Sequence, residues 1–169
     1  MAALPQSQPH LTELRWREHG ERVLEFQREV YERNFPGFHV GPAFLVDYER
    51  QLRSALRNTY EGLWVIEEGS RAQAFVWAAI ITTLVDEKLG YIKNVYVTPE
   101  RRHLGWGAVL TRHAEDWMRR LGVFKSALDV TVENETAVSL YARCGYHVQR
   151  YRMEKDLQAP CPQPEEEEL

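Results

Sequence analysis

Val97-Thr98-Pro99-Glu100-Arg101-Arg102-His103-Leu104-Gly105-Trp106-Gly107 stands between an apolar stretch and a helix-forming one. Upstream, residues 89–97 have the β-branched and aromatic content of a strand. Downstream, Leu110, Ala114, Trp117 and Leu121 share one face of a helix predicted over 105–121, with Gly122 as its stop. A glycine-bearing turn from strand into helix exposes several backbone N–H groups at a helix start. Those donors and the helix dipole favour a bound anion, typically a phosphate. Glycine lets that ligand approach the backbone because it has no Cβ. On the two glycines alone, a tight turn that binds nothing accounts for the string equally well.

Two phosphate loops are excluded by the residues that follow. A P-loop ends in Gly-Lys-Ser/Thr, whereas Gly107 is followed by Ala108 and Val109. The dinucleotide fingerprint needs a glycine or alanine three positions after Gly107, and that residue is Leu110.

Outward from the loop, the chain alternates in type. A first strand is predicted over 10–16, a helix over 18–33 and a loop over 34–42 with two prolines and two glycines. Leu45, Tyr48, Leu52 and Ala55 mark a second helix. Strands follow over 62–67, 72–83 and 89–97, with turns at Glu68-Gly69-Ser70 and Asp86-Glu87-Lys88. After the helix over 105–121 come a strand over 125–132, a helix over 134–144 ended by Gly145, and a strand over 146–156. In the strand over 125–132, Leu128, Val130 and Val132 alternate in facing with Ala127, Asp129 and Thr131. The order is strand, two helices, three strands, helix, strand, helix, strand, a mixed α/β domain over 10–157. Residues 1–9 read as a flexible N-terminus. Residues 158–169, proline-rich and ending in four glutamates before Leu169, read as a flexible acidic tail.

Composition narrows the function classes. The chain has 169 residues, 44% apolar and 27% charged, which suits one soluble domain with a real core. No apolar run approaches the roughly 20 residues that span a bilayer. Met1 to Pro9 has neither a basic start nor an apolar stretch, so no signal peptide is expected and a cytoplasmic home follows by default. The net charge of −4 argues against a nucleic-acid partner. Cys144 and Cys161 make neither a disulfide framework nor a zinc site, and the six histidines lack ligand spacing, so no metal is expected.

The wider string resembles the acetyl-CoA signature of the GNAT superfamily of N-acetyltransferases, V-x-P-x-x-[QR]-x-x-G-x-[GA]. Val97, Pro99, Arg102, Gly105 and Gly107 satisfy it. A second stretch, Asn134-Glu135-Thr136-Ala137-Val138-Ser139-Leu140-Tyr141-Ala142-Arg143-Cys144-Gly145-Tyr146, is similar to that family's N-x-x-A-x-x-[LF]-Y-x-x-x-G-[FY]. The resemblance implies an α/β fold: a mixed central sheet of about six or seven strands with a splayed parallel pair, flanked by about four helices. It implies acetyl-CoA as co-substrate and an amine of unspecified identity as acceptor, in a monomer or homodimer.

Carried over residue by residue, the resemblance places the CoA pyrophosphate on the amides from Arg102 through His103, Leu104, Gly105, Trp106 and Gly107 to Ala108. The pantetheine arm pairs with Val95, Tyr96 and Val97, where a backbone amide near Val95 or Val97 polarises the thioester carbonyl. Asn134 matches the family asparagine that hydrogen-bonds the pantetheine and reads equally as a helix N-cap, and Ala137 is counted with the implied cofactor-binding residues. Tyr141 matches the tyrosine that protonates the departing thiolate, and a core aromatic is its plainer reading. Asp129 is the candidate general base, twelve residues before Tyr141, where N-terminal protein acetyltransferases of the family place a glutamate. Its plainer reading is a solvated or ion-paired aspartate. Histone-type members carry a catalytic glutamate at the position of Tyr91, a departure that leaves Asn94 and Tyr96 as candidates to hold a water relay. Residues 18–58 are implied to select the acceptor. A non-catalytic acyl-CoA sensor and a transferase of longer acyl chains are the competing readings.

Overall fold

The computed structural model describes residues 9–35 and 37–158. The segments read as a flexible N-terminus and an acidic tail lie almost wholly outside the described residues, as does Cys161.

The elements, in chain order, are β1 (His10–Glu13), α1 (Trp16–Asn34), α2 (Pro42–Ala55), β2 (Glu61–Glu68), β3 (Arg71–Ile81), β4 (Leu89–Val97), α3 (Trp106–Arg120), β5 (Ser126–Leu128) and α4 (Glu135–Arg143). They form a five-stranded sheet in the order β1-β2-β3-β4-β5, antiparallel except for the parallel pair β4–β5. The central strands are apolar on both sides because both sheet faces are covered. On one face α1 and α2 pack on Leu63, Val65, Phe75, Trp77 and Tyr96, with Val23, Phe26, Tyr48 and Leu52 supplied by the helices. On the other face α3 lays Leu110, Ala114 and Met118 on Trp64, Ile66, Val76 and Ile92. Gly90 has no side chain because a Cβ there would stand 2.3 Å from the Met118 sulfur.

Two features of β4 shape the site. Ala78 pairs with Ile92 but Trp77 pairs with Asn94, so Lys93 is a bulged residue that re-aims the strand beyond it. Pairing to β5 covers only Gly90–Ser126, Tyr91–Ala127 and Ile92–Leu128. Beyond Ile92, β4 continues five residues with no neighbouring strand on that edge among the described residues, which is the splay the resemblance implies.

The described residues hold five strands, where periodicity predicts six. The missing one is 146–156, which carries no strand. Val148, Tyr151 and Met153 there are 69%, 84% and 91% exposed. Val148 lies on the opposite side of a pleat from Tyr151 and Met153, so the apolar residues of the segment are divided between two faces. Tyr146, whose hydroxyl donates to Ser126 Oγ at 2.9 Å, is where this segment is tied to β5. β5 itself is shorter than the predicted 125–132, because the chain turns back where Asn134 N–H donates to the Thr131 carbonyl at 2.9 Å.

Candidate active site

The loop after β4 is pinned before it turns. Thr98 is buried, its amide donates to the Gln73 carbonyl at 2.9 Å and its Oγ1 lies 3.2 Å from Gln73 Oε1. Pro99–Arg101 form one 3-10 turn, for which proline's fixed φ and missing donor are suited. His103 and Gly105 then take left-handed φ values of 65° and 79°, a conformation that suits glycine at the second position. The first α3 bond runs from the Val109 amide to the Gly105 carbonyl, 3.1 Å. Among the described residues, the amides from His103 to Ala108 make no hydrogen bond within the protein. A run of free donors at the start of a 15-residue helix is a ready site for an anionic group.

The side chains around the loop divide in role. Trp106 is core, Leu104 is 60% exposed, and Val95 and Val97 lean on the α3 side. Arg102 Nε donates to the Val97 carbonyl at 3.1 Å, and its Nη2 pairs with Glu29 on α1. The other Glu29 oxygen accepts from the Tyr96 hydroxyl at 2.5 Å. Burial alone would raise the Glu29 pKa, but the bonds from Arg102 and Tyr96 outweigh it and hold the carboxyl below its ordinary range. Gly107 is buried, and a Cβ there would meet Leu140 Cδ2 of α4 at 2.9 Å. Its smallness thus serves the contact between α3 and α4.

The candidate proton-transfer groups come from β4, the end of β5 and α4. Asp129, the first residue beyond β5, accepts a hydrogen bond from the Tyr91 hydroxyl at 2.7 Å. Tyr91 therefore touches the carboxylate, although a tyrosine stands where histone-type members have a glutamate. Burial and the Asp129 contact push the Tyr91 pKa up, so it stays a donor. Tyr141 on α4 packs edge-on to Tyr146, ring centroids 5.8 Å apart. Burial, then the neighbouring Cys144, push its pKa up to about 12.

Asn134 caps α4, its Oδ1 accepting from the Ala137 amide at 3.3 Å, while its Nδ2 donates to Asn34 Oδ1 at 3.1 Å. Thr131 Oγ1 also reaches the Asn34 carbonyl, 3.4 Å. The end of α1 is thereby tied to the β5–α4 turn. Asn94 Nδ2 donates to Gln27 Oε1 at 2.8 Å and to Tyr48 Oη at 3.1 Å, its Oδ1 is buried without a hydrogen-bond partner among the described residues, and the Tyr96 hydroxyl is taken by Glu29. Sequence reasoning missed Glu29, Asn34 and Gln27. Each is one polar residue in a helix rich in them, and no local spacing singles it out. Among the described residues no cluster of three or more His, Cys, Asp or Glu could hold a metal ion.

A family model described as the acetyltransferase (GNAT) family matches residues 12–146. The chain belongs to the GNAT acetyltransferase family. Solved structures agree in fold. A Pyrococcus furiosus protein designated an acetyl transferase superposes with a TM-score of 0.70 at 28% identity, covering 89% of this chain and 100% of the other. A Clostridium acetobutylicum protein designated an acetyltransferase, solved with acetyl-CoA, gives 0.72 at 17%, covering 89% and 97%. Glucosamine-6-phosphate N-acetyltransferase of Arabidopsis thaliana gives 0.65 at 21%, covering 89% and 99%. Membership makes acetyl transfer from acetyl-CoA the general activity of this GNAT chain. Its free amides at the start of α3 and its unpaired β4 edge are a fitting pair of surfaces for that co-substrate. Among the described residues of this GNAT protein, no helix is long and apolar enough to cross a membrane.

Proposed function

We propose that this chain is an N-acetyltransferase in which a primary amine attacks the acetyl group directly, with both substrates bound at once. Acetyl-CoA supplies the acetyl group activated as a thioester. The observation that carries the reading is the run of unpaired amides from His103 to Ala108, placed beside the open edge of β4. The amides would hold the anionic end of the co-substrate, and the edge would hold its amide-bearing arm by strand-like pairing. Asn134 and Ala137 lie at the start of α4 across the fork.

An alkyl ammonium holds its proton with a pKa of about 10.4, so a base must take that proton before attack. Asp129 is the group proposed for this task, with the Tyr91 hydroxyl fixing one carboxylate oxygen and leaving the other for the amine or a water. Tyr141 Oη keeps its proton at neutral pH and is the proposed donor to the departing thiolate. The acceptor is proposed to lie against the aromatic group at the α1–α2 junction. There Tyr31 touches Phe35, Phe38 and Phe44, and Phe35 and Phe38 are 54% and 40% exposed. Such a surface suits an amine next to an apolar group.

The test is CoA release from acetyl-CoA over a panel of amines that spans small amines, peptide N-termini and lysine peptides. Turnover with at least one class, traced to N-acetylated product, is expected. Tight acetyl-CoA binding with no transfer to any class would overturn the enzyme reading and leave a binding module.

A further inference from the structure

Helix α1 carries glutamates at 18, 21, 25, 29 and 32. Glu18 and Glu25 pair with Arg15 and Arg22 of the same stretch, and Glu32 accepts the Val40 amide. Glu29 alone among these reaches the cofactor loop, 73 residues away in sequence. Its two oxygens are divided: one takes Arg102, the other the Tyr96 hydroxyl. The remaining engaged edge of Arg102 lies on the Val97 carbonyl, and its guanidinium carbon stands 5.8 Å from the Tyr96 ring centre. The result is a closed ring of contacts through α1, the end of β4 and the loop. Arg102 immediately precedes His103, which with Gly105 takes a left-handed φ at the start of the run of unpaired amides. A charge-assisted pair held at both ends is stiff. Without Glu29, a half-buried arginine and a tyrosine hydroxyl in a residue only 9% exposed lose their partner.

We propose that Glu29 is a positioning residue for the co-substrate: it holds Arg102 against β4 so that the loop amides are set before binding. The inference rests on the proposed reading of the loop as a CoA site. It makes Arg102 a brace rather than a phosphate ligand, and it gives the acceptor-side helix a direct hold on the cofactor loop. The rival arrangement has Arg102 as a phosphate ligand that Glu29 competes for. The two differ in sign. Removing a brace weakens CoA binding, whereas removing a competitor tightens it.

The experiment is calorimetric titration of CoA into the full chain, for wild type, E29Q, R102Q and the double variant, with thermal melts to confirm folding. E29Q keeps an acceptor for Tyr96 and puts an uncharged amide NH2 where Arg102 had a carboxylate oxygen. Each single variant is expected to weaken CoA about five- to tenfold, with the double no weaker than the poorer single, since both break one unit. Steady-state rates should show KM for acetyl-CoA rising while KM for the amine holds. Unchanged or tighter binding in E29Q overturns the inference, as do multiplying losses in the double variant or an equal rise in both KM values. Wild type that binds no CoA overturns the reading of the loop and the inference with it. Wild type that binds while E29Q binds equally well overturns the inference alone.

Discussion

The hydroxyl of Tyr141 keeps its proton through the neutral range, because burial and the neighbouring Cys144 push its pKa up to about 12. A general acid needs that proton at the moment the thiolate leaves. Tyr141→Phe removes it and leaves the ring packed on Tyr146. We expect kcat to fall roughly 10²–10³-fold, with acetyl-CoA affinity within about twofold of wild type. Full activity in that variant would remove Tyr141 from the chemistry. Asp129→Asn keeps the shape and the contact to Tyr91 but removes the basic carboxylate, and a similar fall in kcat is expected. Tyr91→Phe removes only a bond to one of two oxygens, so its loss should be smaller, about tenfold or less. Equal losses in the two variants would make Tyr91 a full partner. At this scale the sequence singles out a residue where a motif carries it, as with Arg102, Gly105 and Tyr141. It was blind to Glu29 and to the bond between Tyr91 and Asp129. Their partners are 73 and 38 residues away in sequence, brought together by packing alone.

Helix α3 touches the site at one end and the core along its length. Its start packs so closely on α4 that Gly107 and Leu140 share one space. Gly107→Val should weaken acetyl-CoA at least tenfold and also lower kcat, because displacing Leu140 shifts the helix that carries Tyr141. Adding Leu140→Ala should recover kcat but not affinity. Recovery of both would show that the glycine serves helix packing alone. Further along α3, His113 packs edge-on to Trp64 with centroids 4.9 Å apart. Burial, then Arg120, hold its pKa below the ordinary histidine value. The unfolded chain therefore takes up the proton more readily. This contribution is complete above about pH 6.5 and is lost as pH falls toward the depressed folded value. Thermal melts between about pH 7.5 and 5.5 should show a shallower loss for His113→Gln than for wild type, and parallel slopes would contradict it. Among elements, β4 matched its predicted bounds because both its ends carry signals, the Asp86-Glu87-Lys88 turn and Pro99. The strand expected over 146–156 did not form. Its apolar residues fall on both sides of a pleat, which a search for β-rich composition does not register.

The whole molecule is a sheet with helices on both faces, forked where β4 outruns β5. That fork belongs to no single element. It arises because the β4–β5 pairing stops after three residue pairs, just where the Lys93 bulge bends β4. Element order and the two signature stretches made the fold legible from the sequence. The depth of the fork, and the tie between Asn34 and Asn134 that joins α1 to the β5–α4 turn, were not, since both depend on where the chain stops pairing. The central claim is that the unpaired amides at the start of α3 hold the anionic end of acetyl-CoA. Backbone ¹H–¹⁵N spectra of the labelled chain, recorded as acetyl-CoA is added, test it most directly. The amides from His103 to Ala108 should show the largest shifts, together with Val95 to Val97, and should become protected from exchange on saturation. Saturable binding that leaves the His103–Ala108 amides unmoved would contradict the account.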